Sequence, residues 1–342
     1  MASLLPAAVA TLYSELLERL LAEAARRGVG KAPGTFTTKT VKGETYAYFQ
    51  FSEPGGKVRQ LYLGRAGPPL ERLVARFKAE KPEADRERAG IETLCAQARA
   101  GGAWTMGPRA GRVLKSFSDA GVFEAGAVLV GTHAFGVLGN LLGARLTGAS
   151  LRTDDLDLAA VSLLAASGND SDAEDALERL EMGFLPVPGL DSRHPSTSFK
   201  VRGESLRVDF LTPGKGGPPV PMPRLKTSAQ PLPFMDYLIE NPEKAVVLDA
   251  GGFLVNVPSP ARFALHKIVV APERPVSQES KAGKDLAQAA QLVEALAEAR
   301  PGDLRLAHQA LRERRWLKNL ERGLKRLATL HPAAADAVRG LT

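Results

Sequence analysis

Apolar residues fall at helical spacing from the start of the chain. Leu5, Val9, Leu12, Leu16, Leu17, Leu20 and Leu21 share a stripe over residues 4–27, which predicts an amphipathic helix stopped by Gly28 and Gly30. The period then changes. Residues 45–51 and 58–63 are strand-like, with Pro54-Gly55-Gly56 turning between them, so a small β-hairpin is expected. It holds Tyr46, Tyr48 and Tyr62, which either pack against the first helix or form a stacking surface for nucleic acid. Residues 69–100 are charged and helical, with a break expected at Lys81-Pro82. A further helix spans 108–120 and ends at Gly121. Thr212 to Pro223 reads as a Pro/Gly-rich loop. From Ser259 onward the pattern is almost wholly helical.

Between these segments lies a run with a different pattern. Ala127 to Val130 reads as a buried strand, followed by Gly131-Thr132-His133 and a helix through Leu142. Later, Asp155 and Asp157 alternate with Leu156 and Leu158. Alternate residues of a strand share a face, so both carboxylates project from one side while the leucines enter the core. Asp154 falls out of that frame. In Ser205 to Leu211 a second strand places Asp209 outward between inward Val208 and Phe210. If the two strands are neighbours, three carboxylates converge, and such a cluster repels itself unless cations occupy it. Two Mg²⁺ ions, or Mn²⁺, suit carboxylate oxygen ligands and phosphoryl transfer. His133 is read either as a phosphate or acceptor contact or as a packed histidine. The acids at 170, 172, 174 and 175 read as a helix N-terminus. Gly214 to Gly217 is not followed by the Gly-Lys-Ser/Thr of a P-loop.

Charge adds a partner class. Lys+Arg number 45 against 38 Asp+Glu, a net +7, which favours an anionic partner. Arg315, Lys318, Arg322 and Lys325 recur at helical spacing beside a Leu317, Leu320, Leu324, Leu327 core stripe. That face is either solvated or a rail for an acceptor's phosphate backbone. The single cysteine, Cys95, allows neither an intrachain disulfide nor a cysteine-based zinc site. No apolar run is long enough to span a membrane, and Glu15, Glu18 and Arg19 argue against a signal peptide. A cytoplasmic enzyme or nucleic-acid-binding protein is expected.

The order strand, Gly131-Thr132, helix, Arg152-Thr153-x-Asp155-x-Asp157, then Asp209 on a later strand resembles the DNA-polymerase-β-type nucleotidyltransferases. It is most similar to the branch that contains the AbiEii-type toxins. Lys267, Arg274 and the pair Lys284-Asp285 follow in the order of that branch. The branch's second acid after the Lys-Asp pair is replaced by Gln288, and Thr132 stands where Ser or Gly is commoner. The resemblance implies an α/β (α+β) core with a small mixed sheet over residues 106–230. A mainly helical part covers 231–342, and the N-terminal helix, hairpin and helix occupy 1–105. It implies that Gly131, Thr132, Arg152, Thr153, Lys267 and Lys284 bind the nucleotide. Asp155, Asp157 and Asp209 would hold metal, and Asp209 would activate an acceptor hydroxyl. The implied reaction moves a nucleoside monophosphate from an NTP to RNA, a tRNA 3′ end being one such acceptor, in a toxin with an antitoxin partner. Two readings stand beside it: nucleotidylation of a protein or small molecule, and a silent nucleic-acid-binding protein.

Overall fold

The computed structural model describes residues 3–25, 32, 34–52, 56–148, 151, 153–160, 173–189, 196–223 and 227–341. A two-residue strand β1 (Ser3–Leu4) leads into α1 (Ala7–Ala25). Helix α1 buries Val9, Tyr13, Leu16 and Leu20, the face its spacing predicts. These side chains pack on Ile91, Leu94, Cys95 and Ala98. The glycines expected to stop α1, at 28 and 30, lie outside the described residues.

The expected hairpin is a three-stranded antiparallel sheet of β2 (Gly34–Val41), β3 (Glu44–Ser52) and β4 (Val58–Arg65). Strand β2 escapes an apolar-alternation reading because Phe36 is its only large apolar residue before Val41. Its β-branched threonines supply the strand preference instead. Helix α2 (Pro68–Ala100) runs unbroken through Pro82, so the expected break is absent. Pro82 removes one hydrogen bond, to the carbonyl of Lys78. Lys78 is exposed, so water can satisfy that carbonyl.

Helix α3 (Pro108–Asp119) then precedes the central sheet. That sheet uses β5 (Val128–Val130), β7 (Asp155–Ala159), β8 (Phe184–Pro186), β9 (Ser198–Val201), β10 (Arg207–Pro213), β11 (Val220–Met222) and β12 (Thr227–Leu232). Its main path is β11-β12-β10-β7-β5, with β9 pairing β10 and β8 beyond it. Only β7–β10 and β10–β12 are parallel, so the sheet is mixed. Strand β11 lies inside the run expected to be a loop. Pro221 is tolerated there because β11 is the edge strand. Helix α4 (Gly131–Leu141) follows β5 directly, β6 (Ala144–Arg145) pairs with β1, and α5 (Ala173–Glu178) carries Glu174 and Asp175 in its first turn.

Helix α6 (Met235–Ile239) and the hairpin β13 (Glu243–Val247) and β14 (Phe253–Val257) complete the β-containing part. Tyr13 ties α1 to this hairpin: its hydroxyl donates to Val246 O (3.0 Å) and accepts from Val246 N–H (2.9 Å). Helices α7 (Pro260–Val270), α8 (Glu279–Ala299), α9 (Pro301–Glu313), α10 (Leu317–Leu330) and α11 (Pro332–Arg339) finish the chain. One hydrophobic core runs from Ala110 to Val338 and joins the central sheet to these helices. Helices α7 and α8 are thereby fixed beside the carboxylate-bearing face of β7. Among the described residues no helix is long and apolar enough to cross a membrane.

Candidate active site

The two acidic strands are neighbours. Strands β7 and β10 run parallel with Asp157 opposite Asp209 and Asp155 opposite Arg207. Leu156, Leu158, Val208 and Phe210 are buried on the other face. Period-two alternation therefore sorts leucine from aspartate as expected. Strand β5 closes the other side of β7, with Val130 opposite Asp157. Burial of its carboxyl and the Asp209 charge beside it push Asp157 up to about 7, against the pull of Lys267.

Gly131 begins α4 at φ +68°, and a Cβ there would lie 2.1 Å from Asp157 Oδ2. Glycine is thus required twice, for the left-handed backbone and for the close approach of the carboxylate. Thr132 is buried, and its hydroxyl accepts a hydrogen bond from Gln288 Nε2 at 3.3 Å. The residue standing in place of the branch's second acid is therefore the link between α8 and the Gly-Thr turn. His133 is packed rather than open: its Nδ1 lies 3.0 Å from the carbonyl of Asp155, and its ring meets Trp104 edge-on. Burial pushes His133 down to about 4, with the Lys284 charge acting in the same direction. It is neutral at pH 7, so its Nδ1–H donates to Asp155.

The other expected nucleotide ligands divide. Thr153 Oγ1 accepts from the Asp155 N–H at 3.1 Å and so shapes the start of β7. Arg152 lies outside the described residues. Lys267 Nζ is 2.7 Å from Asp285 Oδ1, and Arg274 Nε is 2.6 Å from Asp285 Oδ2. Burial opposes the Asp285 charge, but Lys267 and Arg274 hold its carboxyl below the usual range. Asp285 is thus the counter-ion that fixes two cations. Burial and the Lys267 charge lower Lys284, while Asp285, Asp155 and Asp157 act against that shift. Lys267, Lys281 and Lys284 all act electrostatically on the β7 acids. Carboxylates of the sheet are accordingly set against lysines of α7 and α8.

Two residues of the site escape the sequence reading. Arg207 Nε donates to Asp209 Oδ1 at 2.7 Å, the Ser198 hydroxyl donates to the same oxygen, and Arg207 Nη2 reaches Ser198 Oγ at 2.8 Å. Arg207 had a signal: it lies two residues before Asp209 and so shares its face. Ser198 had none, because β9 reaches β10 through tertiary pairing. Among the described residues no three His, Cys, Asp or Glu side chains gather at metal-holding spacing. Asp209 is turned to Arg207 and Ser198, and Asp155 lies at the exposed edge.

The acceptor rail is not assembled as its spacing suggests. Arg315 lies in the turn before α10, at φ +61°. Arg322 pairs with Glu273 at 2.8 Å. Lys318 and Lys325 are exposed on α10, and none of the four contacts the acids among the described residues. The leucine stripe does behave as expected, since Leu320, Leu324 and Leu327 are buried.

Asp157 and Asp209 thus sit side by side on paired strands beside the Gly-Thr helix start, with the lysines of α7 and α8 acting on them. Residues 108–313 match the model of a nucleotidyltransferase family, more than half of the chain, and the chain belongs to that family. Transfer of a nucleoside monophosphate from an NTP is the general activity of such enzymes, and every residue placed above from β5 to α9 lies inside the matched span. No curated protein and no solved structure gives a significant match.

Proposed function

We propose that this chain moves a nucleoside monophosphate from an NTP to a hydroxyl of RNA, the hydroxyl oxygen bonding to the α-phosphorus as pyrophosphate leaves, in the manner of the AbiEii-type toxins. The observation that carries the proposal is the β7–β10 register, which sets Asp157 beside Asp209 below the Gly131-Thr132 turn. On this reading residues 106–230 are a polymerase-β-type catalytic core, 231–342 its helical wall, and 1–105 an accessory unit. The donor set is all oxygen, and a cation would relieve the like-charge pair that raises Asp157. Asp155, Asp157 and Asp209 would hold two Mg²⁺ ions, or Mn²⁺. Bound there, such ions supply charge neutralisation for the triphosphate.

The chain's own groups do the rest. Lys284 and Lys281 offer cations to the phosphates from the helix side, while Asp285 keeps Lys267 and Arg274 at fixed positions. Asp209 is the residue to accept the acceptor's proton once it is released from Arg207, and Arg207 is then available to a phosphate oxygen. Catalysis is positioning plus charge stabilisation. The net charge of +7 supports a polyanionic acceptor. An antitoxin would act by covering these residues.

The test is incubation with labelled NTPs and Mg²⁺ in the presence of total RNA and a protein lysate. Label is expected in RNA, and Asp155→Ala, Asp157→Ala and Asp209→Ala are each expected to abolish it. Label confined to protein or to a small molecule would replace RNA as the acceptor. No label in any fraction would refute transfer.

A further inference from the structure

The N-terminal sheet has two unlike faces. One carries Phe36, Phe49 and Phe51, and Phe77 of α2 packs on it edge-on, with ring centroids 5.0 Å from Phe36 and 6.0 Å from Phe49. The opposite face carries Tyr46 and Tyr48 of β3 and Tyr62 of β4. A register shift beside Ala47/Tyr48 brings Tyr62 directly across from Tyr48. The Tyr62 ring lies 5.5 Å from that of Tyr48 and 6.2 Å from that of Tyr46. Tyr62 is 56% exposed. None of the three phenol groups has a hydrogen-bond partner among the described residues.

Polar groups border these rings. Lys39 Nζ stands 4.9 Å from the centre of the Tyr48 ring and donates to Gln60 Oε1 at 2.9 Å. Gln60 Nε2 in turn donates to Gln50 Oε1 at 3.0 Å. Val41 and Val58 occupy the far corners. Over residues 34–65 the cations Lys39, Lys42, Lys57, Arg59 and Arg65 outnumber Glu44 and Glu53. Cross-strand tyrosine pairing contributes only about 0.2–1 kcal/mol to a sheet. Packing of the sheet onto the chain is already supplied by the phenylalanine face. The sheet also lies outside residues 108–313, so the family's shared chemistry does not account for it.

We infer that this tyrosine face binds a single-stranded nucleic-acid segment. Unstacked bases have π faces that tyrosine rings can cover without regard to sequence, whereas a duplex keeps its bases stacked and out of reach. Lys39 is placed to meet a phosphate beside the stacked bases, and the Gln50 and Gln60 amides offer donors and acceptors to base edges. The inference deepens the proposed reaction, and it rests on that reading only in taking the bound strand to be the acceptor.

The test uses the full chain and fluorescence anisotropy of a labelled, unstructured oligoribonucleotide of about 12 nucleotides, a length within the usual site sizes. The deoxy counterpart and a duplex of the same length serve as the other arms. The single strands are expected to bind more tightly than the duplex, and the two single-strand arms show whether a 2′-hydroxyl contributes. Tyr62→Ala should weaken single-strand binding by about 5- to 150-fold, the effect of losing one stacked base. Tyr62→Phe keeps the ring and should stay within about twofold of wild type. Lys39→Gln should lower the salt slope by about 0.7. Because Tyr62 is exposed on a sheet held from its other face, Tyr62→Ala is expected to fold, and Tyr62→Leu serves as a second variant without a ring. Wild-type affinity in both ringless variants would overturn the inference, as would equal binding of duplex and single strand. Capture of a protein with no oligonucleotide binding would also overturn it. No NTP is present, so a chain that binds here but labels no RNA keeps this inference and loses the proposed reaction. Labelling without binding here does the opposite.

Discussion

A methyl group on residue 131 would strike the Asp157 carboxylate, so the backbone at that point is committed to the acid before any substrate arrives. The acid is itself held at a cost. Burial and Asp209 raise Asp157 from an ordinary 3.8 to about 7. A group that titrates higher in the folded chain destabilises the fold when ionised. That penalty is absent below about pH 4, grows as pH rises to 7, and is constant above. Three units correspond to about 4 kcal/mol, and because Asp157 is partly exposed solvent screening reduces this toward about 2 kcal/mol. Asp157→Asn should therefore stabilise the chain by about 2–4 kcal/mol at pH 8 and by less at pH 5. Urea unfolding in EDTA at the two pH values measures the difference, and equal stability of the two proteins at pH 8 would show that Asp157 carries no such penalty. The carboxylate pattern itself was legible, because a period of two in a short strand leaves no other way to bury Leu156 and Leu158. The Arg207 contact was legible in principle from the same period. The Thr132–Gln288 bond was not, since 156 residues separate the partners.

At the scale of elements, the site depends on how α7 is seated. Helix α10 approaches it so closely that a Cβ on Gly323 would lie 2.0 Å from the carbonyl oxygen of Ile268, one residue from Lys267. Two effects compete in Gly323→Ala. Alanine is the better helix former by about 0.8–1 kcal/mol, but overpacking against a rigid backbone costs about 1–3 kcal/mol and would displace α7. The clash should win, giving a net loss of stability. Gly283 in α8 is the control, because a Cβ there meets nothing within 4 Å. Gly283→Ala should stabilise by about 0.5–1 kcal/mol. Thermal unfolding of the two variants checks the pair, and a stabilised Gly323→Ala would mean that the helices yield freely. Helix periodicity revealed α10 and its leucine stripe but not its neighbour. Nor could spacing show that the chain reverses at Arg314 and Arg315, which removes Arg315 from the expected rail. Expected breaks misled in the other direction at Pro82, where an exposed turn tolerates the missing hydrogen bond.

A core shared from α3 to α11 contains three buried histidines, His133, His266 and His308, and burial lowers each of them. Burial pushes His133 down to about 4 and His266 down to about 3, with Lys284 acting further on the first and Lys267 on the second. His133 satisfies a ring nitrogen at Asp155. Both ring nitrogens of buried His266 lack partners among the described residues, although Lys267, Arg274 and Asp285 act on it through their charges. A packed His133 was one of two readings the sequence left open, and the orphaned ring of His266 was not legible, because a histidine on a helix gives no sign of what its ring will meet. Each histidine is protonated more readily in the unfolded chain, so each withdraws stability as pH falls below about 6.5, at about 1.4 kcal/mol per pH unit. Asp157 works in the opposite direction between about 4 and 7. The depressed Asp285 and Glu240 add their own losses only further down, once pH falls below the usual carboxylate range. The window from pH 6.5 to 5 therefore isolates the histidines against Asp157. His266→Leu breaks no hydrogen bond and conserves volume, so it should lie within about 1 kcal/mol of wild type at pH 7.5. Between pH 6.5 and 5 its stability should decline less steeply than that of wild type by about 1.4 kcal/mol per pH unit. Urea midpoints across that window, at constant ionic strength, give the two slopes. Parallel slopes would mean that His266 is protonated alike in the folded and unfolded chain.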